Sequence, residues 1–353
     1  MKKSIFKIFR NIFGALILFC ATLAALVLYL NSAPKTQPVG NETIRIDDKT
    51  HIADIEIREG ESGVSVGKRL YTAGLIRNAE FWKLLMYTSD NFIKHGVYHI
   101  EYPQTQVAIY RLLQEGKEIL VKVTVPEGVT VKKIASILDE KNICTKKSFI
   151  GVASDGELLK QIGISAPGLE GFLFPDTYMF PQSYGAKKAA AAMVENFFKH
   201  VKDMDIDVSQ IKPNELYNKI TLASIVEREY RSSEEAPIIG GVFVNRIKAG
   251  MRLESCATVE YIITEIQNKP HPKRLFNRDI AIENKYNTYV FAGLPPGPIS
   301  CPGEVALKAA FFPTDSDYLF FRVVDPSEGK HYFSKTFDDH IKAGELYLKN
   351  TTG

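Results

Sequence analysis

The sequence predicts an α+β protein with three parts: an N-terminal membrane helix, a region of repeated strand–helix–helix units, and a mixed α/β domain. Three observations predict this order: an uncharged apolar run, an internal repeat, and a change towards aromatic and turn-forming residues after residue 165. The expected divisions are 1–11 for the N-terminus, 12–30 for the membrane helix, 31–50 for a polar linker, 51–165 for the repeat region and 166–353 for the C-terminal domain.

The apolar run Ile12–Leu30 is nineteen residues long and carries no charge. A helix of that length spans the hydrocarbon core of a bilayer. The basic residues just before it are Lys2, Lys3, Lys7 and Arg10, whereas only Lys35 follows it closely. This bias predicts a cytoplasmic N-terminus, with the rest of the chain on the other side of the membrane. A cleaved signal peptide is the alternative, but its apolar region would normally be only about 7–15 residues long.

The charge balance argues against a nucleic-acid partner. The net charge is +3, and without the four N-terminal basic residues it becomes 40 basic against 41 acidic residues. Proteins that bind nucleic acid generally carry a basic excess on the binding domain.

Cysteine and histidine usage predicts no metal site. The chain has no C-x-x-C and no H-E-x-x-H, and His95 and His99 lie in a segment with a strand pattern. Outside the apolar run there are three cysteines, so at most one disulfide forms. Cys256 with Cys301 is the first pair to test, and three free thiols remain an equal alternative.

An internal repeat defines the second part of the chain. Ile57–Gly60 begins one copy and Val125–Gly128 begins the other, at an offset of 68 residues. Each copy predicts a strand, a Glu-Gly turn and two helices, with a further strand and a helix between the copies. Such a unit resembles the small LysM modules, which implies binding to N-acetylglucosamine chains. The alternative is that both copies only build a core.

The stretch Ile220–Tyr230 is the first candidate for chemistry. Its apolar residues predict a buried helix that ends in Glu227-Arg228-Glu229. Glu227 and Glu229 project about 200° apart, so one can enter a cleft while the other faces away. A carboxyl group at the edge of an apolar element can acquire a raised pKa, which a general acid near neutral pH requires. A solvated pair of Glu227 with Arg231 is the alternative.

The C-terminal half predicts several further elements. Pro167–Tyr178 is dense in aromatic and turn-forming residues, which suits either a loop along a sugar-binding groove or a loop at the edge of the core. Helices are expected over 186–201, 238–248, 304–310 and 337–348, and a hairpin over 318–334.

Several blocks stand together in one order. They are Leu169–Tyr178, Leu222–Glu229, Val244–Arg246, Tyr286–Tyr289, Gly293–Gly297 and His331–Phe333. In this order they resemble the endolytic murein transglycosylase family, also called YceG-like, over about residues 50–345. The resemblance implies a bacterial inner-membrane lyase that cleaves nascent peptidoglycan between N-acetylmuramic acid and N-acetylglucosamine. It implies a 1,6-anhydromuramic acid end, termination of strand growth and no cofactor.

The resemblance also implies site residues and partners. Glu227 matches the catalytic acid/base of the family, and Glu229 is its rival. The candidates for substrate binding are Asn287, Tyr289, Tyr178, Arg246 and His331, for each of which turn stabilisation is the alternative. The expected partners are peptidoglycan glycan strands, the membrane through a single-pass anchor, and a peptidoglycan synthase complex.

One position departs from the family. Relatives usually have Leu-Gln-Ser-Asp-Pro-Thr-Val where this chain has Leu253-Glu-Ser-Cys-Ala-Thr-Val259, so Cys256 stands at the place of an Asp. This puts a role for that Asp in doubt here, and it leaves open a shifted hydrogen bond or a bridge to Cys301.

A single carboxyl group suffices for the implied reaction. Ordinary glycosidases use two, but here the C6 hydroxyl of the substrate is the nucleophile, and it is already tethered to the reacting sugar. Two other functions stay open: a non-catalytic scaffold that binds peptidoglycan, and a muramidase that uses water.

Overall fold

The computed structural model describes residues 2–41, 43–88, 93–116, 119–182, 184–325 and 328–351. The chain forms two compact units. Unit 1 comprises residues 1–120 and 181–183, and unit 2 comprises residues 121–180 and 184–353.

Unit 1 contains the apolar N-terminal helix and a small sheet covered by helices. Its elements are α1 Lys2–Asn31, β1 Ile44–Asp47, β2 Ile52–Ile57, α2 Gly63–Thr72, α3 Ala79–Thr88, β3 Gly96–Glu101 and α4 Gln106–Glu115. The three strands are antiparallel in the order β1-β2-β3. Their inward residues and those of the helices form one core around Trp82 and Tyr98.

Helix α1 confirms the predicted apolar helix. Its side chains are exposed from residue 11 to residue 29, and the segment Arg10–Asn31 is long and apolar enough to cross a membrane. A long helix that exposes a mostly apolar surface is unfavourable in water, so this segment is compatible with a single-pass anchor.

The spacer predicted over 31–50 contains a strand. In β1 the apolar Ile44 and Ile46 alternate with polar residues, and Ile44 pairs with Ile55 of β2 in the core of unit 1. The short apolar alternation is weak in the sequence, and pairing with β2 is what makes it a strand.

Unit 2 is larger and mostly helical. Its elements are β4 Leu120–Thr124, α5 Val131–Glu140, α6 Lys146–Val152, α7 Gly156–Gln161, β5 Thr177–Pro181, α8 Ala186–Asp203, α9 Pro213–Glu229, α10 Ala236–Lys248, α11 Cys256–Tyr261, α12 Asn277–Ile280, α13 Glu304–Phe311, β6 Phe320–Asp325, β7 Lys330–Ser334 and α14 Phe337–Thr351. A 3₁₀ turn at Val208–Gln210 precedes α9, and a π-helical turn at Ile262–Ile266 continues α11. Strand β4 pairs with β5, and β6 is antiparallel to β7.

At the two predicted repeat copies the chain forms the segments β2-α2-α3 and β4-α5-α6. In both copies the turn glycine, Gly60 or Gly128, has a positive φ of 77° or 72°, which glycine adopts without steric cost. The copies separate between the two units, however. Ile134, Leu138 and Phe149 of the second copy join the same core as α8 and α9. The boundary expected at residue 165 therefore differs from the observed division at residue 120, because core packing assigns the second copy to the larger unit.

Helix α9 lies at the centre of unit 2. It packs against α10 and α13, which also pack against each other. A methyl group added at Gly240 would lie 2.5 Å from the Ala309 carbonyl oxygen, so the glycine permits the close approach of α10 and α13. The predicted helices over 186–201, 238–248, 304–310 and 337–348 are all confirmed, as are both hairpin strands. Pro326 and Ser327 of the predicted hairpin turn lie outside the described residues.

Candidate active site

Helix α9 carries Glu227 in its last turn. The helix is longer than the sequence predicted, because Pro213 occupies its first turn and starts it well before Ile220. All residues from Ile220 to Val226 are buried, whereas Glu227 is partly buried. The predicted arrangement, a buried helix that delivers carboxyl groups at its end, is confirmed.

A buried serine of α9 holds the loop that faces Glu227. Ser224 Oγ accepts a hydrogen bond from the Ile299 amide at 3.0 Å, and Ser300 Oγ donates to the Ser224 carbonyl oxygen at 3.0 Å. These bonds hold the loop after Gly293–Pro298 against the helix. They bring Gly303, at the start of α13, next to the Glu227 side chain.

Glu227 has an environment suited to a proton donor. The Gly303 amide donates a hydrogen bond to Glu227 Oε2 at 3.0 Å. Burial raises the pKa of Glu227 to about 7; the Gly303 amide opposes the rise, and the charge of Glu127 adds to it. The group is therefore about half protonated near neutral pH, as a general acid requires.

Glu127 is a second carboxylate at this place, and the sequence reasoning did not predict its position next to Glu227. It lies on the turn of the second repeat copy. A methyl group added at Gly303 would lie 1.9 Å from Glu127 Oε1, and one added at Gly128 would lie 3.5 Å from Glu227 Cγ. Gly303 and Gly128 thus lie between the two carboxylates. The signal was present in the Val125–Gly128 block, but Glu127 was used there only to align the copies.

Two backbone hydrogen bonds hold the Glu127 turn against the loop before α13. The Gly128 amide donates to the Cys301 carbonyl oxygen at 2.9 Å, and the Cys301 amide donates to the Val129 carbonyl oxygen at 2.8 Å. Since backbone bonds do not depend on side-chain rotamers, this pairing holds the Glu127 turn close to Gly303.

A third carboxyl group, Glu170, lies behind this pairing. Its oxygens accept hydrogen bonds from the Val131 amide at 3.1 and 3.3 Å, and the Cys301 thiol points at it from 3.8 Å. Burial raises the pKa of Glu170 to about 8. Glu170, which accepts the amide hydrogen bond at the N-terminus of α5, is therefore largely protonated at neutral pH.

Three half-buried tyrosines surround Glu170. They are Tyr217, Tyr261 and Tyr286. In each, burial is the largest cause of a raised pKa, and the Glu170 charge adds to it. The rings of Tyr261 and Tyr286 lie 5.1 Å apart. Partly buried phenol rings offer apolar faces and a hydroxyl group, which suits sugar rings.

Comparison with known proteins relates these residues to a family. The sequence profile of the YceG-like family matches residues 55–345. The chain belongs to the YceG-like family.

Two curated relatives of this chain are named endolytic murein transglycosylase. The protein of Bacillus subtilis is 28% identical over 326 residues, which cover 88% of each chain. The protein of Streptococcus pneumoniae is 27% identical over 320 residues, which cover 81% of this chain and 56% of the relative. The chain thus spans little more than half of the pneumococcal protein.

A solved structure from the same family agrees with the fold. It is the crystal structure of a putative YceG-like protein from Listeria monocytogenes, with 29% identity and a TM-score of 0.55. The match covers 83% of this chain and 99% of the other. The resemblance expected from the sequence blocks is therefore confirmed.

The rival carboxyl group, Glu229, faces a different set of residues. Ser255 Oγ donates a hydrogen bond to Glu229 Oε1 at 2.5 Å. Burial raises the pKa of Glu229 to about 7, and the Ser255 bond opposes the rise. Glu227 and Glu229 thus have separate partners, as their helical spacing predicted, and a raised pKa alone does not distinguish them.

Three of the predicted substrate-binding residues use their side chains within the protein. Asn287 is buried and donates to the carbonyl oxygens of Ile280 and Ile282. Arg246 binds the carbonyl oxygens of Leu319, Arg252 and Leu253. His331 Nδ1 lies 2.7 Å from Glu235 Oε2. These contacts describe turn and loop stabilisation.

The two predicted tyrosines differ in their surroundings. Tyr178 donates to the Phe174 carbonyl oxygen at 2.6 Å and stacks on Phe180 at 5.1 Å. Tyr289 is partly exposed, and its hydroxyl lies 3.1 Å from Cys256 Sγ. The aromatic block before Tyr178 is part of the core, since Leu169, Phe172, Leu173 and Phe174 are buried.

All four cysteines are free thiols. Cys301 is buried next to Glu170, whereas Cys256 is exposed and contacts Tyr289. The thiol at the position of the family Asp thus contacts the Tyr289 hydroxyl and forms no bridge to Cys301.

Proposed function

We propose that this protein is an endolytic lytic transglycosylase of peptidoglycan. It would cleave the bond between N-acetylmuramic acid and N-acetylglucosamine within nascent strands, leave a 1,6-anhydromuramic acid end and so terminate strand elongation. The observation that carries the proposal is Glu227: a carboxyl group with a pKa of about 7 at the end of a buried helix, with one oxygen bound to the Gly303 amide. The relatives named endolytic murein transglycosylase support the substrate class.

Glu227 performs both proton transfers in this mechanism. In its protonated form it donates a proton to the glycosidic oxygen as the C1–O bond breaks, which produces an oxocarbenium-like centre at C1. The C6 hydroxyl of the same sugar then attacks C1, and its proton passes to the Glu227 carboxylate. The acid is regenerated, no water is consumed, and the enzyme is a lyase without a cofactor. The tethered hydroxyl replaces a second reactant, which removes much of the entropic barrier.

Glu127 keeps the proton on Glu227 before the reaction. Its negative charge disfavours a second negative charge beside it, which is the established effect of a like charge on a neighbouring carboxyl group. After the bond breaks, the same charge stabilises positive charge that develops at the sugar ring.

Glu227→Gln tests the proposal, with Glu229→Gln as the matched control. Both variants keep the shape of the side chain and a hydrogen-bond acceptor on the same helix. On purified glycan strands, Glu227→Gln should abolish new anhydro-ended fragments in mass spectrometry, whereas Glu229→Gln should retain them. Full activity of Glu227→Gln, or a reversal of the two results, would refute the assignment.

Hydrolysis is the second candidate, and the Glu127 carboxylate is the observation in its favour. Two carboxyl groups around one bond can activate a water molecule. The products decide between the two reactions, because each hydrolytic end is heavier by one water than an anhydro end. Strand binding without any new chain end would instead favour a non-catalytic scaffold.

The setting of the enzyme follows from unit 1. We infer a single-pass anchor in the bacterial inner membrane with the N-terminus in the cytoplasm, supported by the apolar α1 and the basic residues before it. A peptidoglycan synthase complex would be its neighbour there. The β2-α2-α3-β3 segment is a LysM-like candidate for glycan binding. Tyr289 and the tyrosines around Glu170 are the partly exposed candidates for sugar contact.

A further inference from the structure

A second candidate site in unit 2 follows the π-helical turn after α11. The ten residues 269–278 contain Lys269, Lys273, Arg274 and Arg278 and no acidic residue. The chain beyond its first ten residues is otherwise balanced in charge, so this segment is a local concentration of positive charge. A π-helical turn within or after an α-helix is often found at functional sites.

The segment lines an open groove of about 820 Å³. The cations lie on it together with the apolar side chains of Ile263, Pro270, Pro272, Phe276 and Ile282. Here this set of cations and apolar side chains is called the basic groove. Its one acidic lining residue, Asp279, accepts the Phe276 amide at 2.9 Å and lies 3.8 Å from Arg278.

Three of these cations have no counterion among the described residues. Within the described part of the chain, no carboxylate oxygen lies within 4 Å of the charged nitrogens of Lys269, Lys273 or Arg274. The guanidinium groups of Arg274 and Arg278 lie 4.6 and 5.3 Å from the Phe276 ring centroid. Cation–π contact holds both groups in place without neutralising them, which leaves a preorganised positive field for an anion.

A smaller groove of about 430 Å³ continues the basic groove past Lys269 and Pro270. It adds Lys132, Lys133, Lys146 and His271 to the lining, against one acid, Glu265. Lys132 Nζ is engaged with the Glu265 carbonyl oxygen and with Asn268 Oδ1 at 2.6 Å. The positive surface therefore extends beyond the first groove, which suits an elongated ligand.

A short chain of contacts connects the smaller groove to the helix of the proposed acid. His271 Nε2 lies 3.3 Å from Glu260 Oε2, and the same oxygen accepts a hydrogen bond from Arg228 at 2.9 Å. Arg228 directly follows Glu227. Glu260 thus links His271 of the smaller groove to Arg228, the residue after Glu227 at the end of α9.

We propose that the basic groove binds the carboxylate-bearing stem peptide of the muramic acid residue at the cleaved bond. This inference rests on the proposed function, since it names a subsite of the same reaction. Several separate cations match several carboxylates along a peptide, and the prolines and Phe276 match its alanine methyl groups. A peptide of four or five residues reaches about 14–17 Å when extended, and the contacts of Glu260 with His271 and Arg228 link this surface to the helix that carries Glu227.

The kinetic test uses the full-length chain in detergent and two substrates. One is glycan strands with their peptides, and the other is the same strands after an amidase has removed them. Lys273→Gln/Arg274→Gln removes two exposed cations from the groove, and Lys187→Gln/Lys199→Gln removes two exposed lysines from α8 as the matched control. The groove variant should raise KM for peptide-bearing strands on the order of tenfold with kcat unchanged. The groove variant should leave KM and kcat for the stripped strands unchanged. The control variant should leave both constants unchanged for both substrates. Equal effects on both substrates, or no effect, would overturn the proposal.

A binding measurement separates this proposal from the proposed reaction. Calorimetry with Glu227→Gln and a soluble disaccharide-peptide needs no catalysis, so it remains valid if Glu227 is not the acid. The peptide should bind Glu227→Gln and lose affinity on the order of tenfold when the groove substitutions are added. Inorganic pyrophosphate is the competing probe. Pyrophosphate that binds the groove more tightly than the peptide would overturn the proposal in favour of a phosphate site.

Discussion

The chemistry of the proposed site depends on how Glu227 keeps its proton. The neighbouring apolar residues of α9 make charge on this carboxyl group costly, and Glu127 adds a like charge. One hydrogen bond from Gly303 opposes both effects. The balance places the pKa at about 7, so the group can both donate and accept a proton at the pH of its surroundings.

The first prediction concerns the pH profile of cleavage. A general acid must be protonated to act, so kcat should fall about tenfold per pH unit above about pH 7. Glu127→Gln removes the negative charge that raises the pKa of Glu227, so its alkaline limb should move to lower pH. Glu195→Gln, an exposed carboxylate on α8, is the control and should leave the profile unchanged. Identical profiles for all three proteins would show that Glu127 does not act on the acid.

Gly303→Ala provides an independent version of the same test. Gly303 has φ −83° and ψ −176°, which an alanine adopts without strain. The added methyl group would lie 1.9 Å from Glu127 Oε1, so it should displace that flexible carboxylate while the backbone stays in place. Gly303→Ala should reproduce the shifted pH profile of Glu127→Gln. The double variant Gly303→Ala/Glu127→Gln should show the same pH profile as either single variant. An additive shift would contradict this explanation.

Ionisation of Glu170 lowers the stability of the fold as the pH rises, whereas an ordinary paired carboxylate stabilises the fold when it ionises. Its pKa rises from 4.5 in the unfolded chain to about 8 in the fold. A raised pKa means that the favourable contribution is complete below pH 4.5 and is lost as the pH rises through 8. The wild-type protein should therefore lose stability between pH 5 and pH 8.

Glu170→Gln should remove that loss. The neutral amide oxygen can still accept the Val131 amide, but it carries no buried charge. The free energy of unfolding of the variant should exceed that of the wild type by about 1–3 kcal/mol more at pH 8 than at pH 5. Urea titrations followed by circular dichroism at both pH values measure the difference. An equal difference at both values would show that Glu170 does not ionise in this range.

At the scale of elements, close packing between helices carries the fold of unit 1. Helix α2 contacts α3 through Gly67 and Trp82, and the Trp82 indole donates to the Gly63 carbonyl oxygen at 2.9 Å. A methyl group added at Gly67 would lie 2.1 Å from Trp82 Cδ1. The large buried ring leaves no room for even one additional carbon atom.

Gly67→Ala should therefore destabilise unit 1. Overpacking of this kind typically costs about 1–3 kcal/mol. Trp82 is the only tryptophan of the chain, so its fluorescence in a denaturant titration reports on unit 1 alone. Lys68→Ala changes an exposed residue of the same helix and should leave the midpoint nearly unchanged. A Gly67→Ala midpoint equal to that of the control would show that α2 can shift away from the ring.

At the scale of the whole molecule, the proposed membrane anchor would determine on which side of the membrane the proposed chemistry takes place. The proposed orientation places unit 2 on the outer face of the inner membrane. Cys256 is the one thiol of unit 2 in an exposed residue. Neighbouring atoms still remove part of the water around its sulfur, and this desolvation raises the pKa of the thiol. Labelling therefore needs mildly alkaline buffer. A membrane-impermeant maleimide should label it in spheroplasts without lysis, and Cys256→Ala should lose that label. Labelling only after lysis would reverse the orientation.

Sequence patterns predicted those elements whose signal is local. The uncharged run of α1, the Glu-Gly turns at Gly60 and Gly128 and the helical spacing of α9 were all readable, because each depends on residues close together in the chain. The strand β1 was missed, since its short pattern becomes a strand only when paired with β2. The family blocks predicted Glu227, and the structure adds its contact with Gly303.

The sequence by itself determined the apolar N-terminal helix, the order of most helices and strands, the family and the candidate acid. Only the tertiary structure decided which carboxylates meet. It placed Glu127 and Glu227, a hundred residues apart in the chain, on either side of Gly303, and it showed that Asn287, Arg246 and His331 use their side chains within the protein. The physical reason is that a pKa and a hydrogen-bond partner depend on distance and burial, and long-range packing of the core sets both.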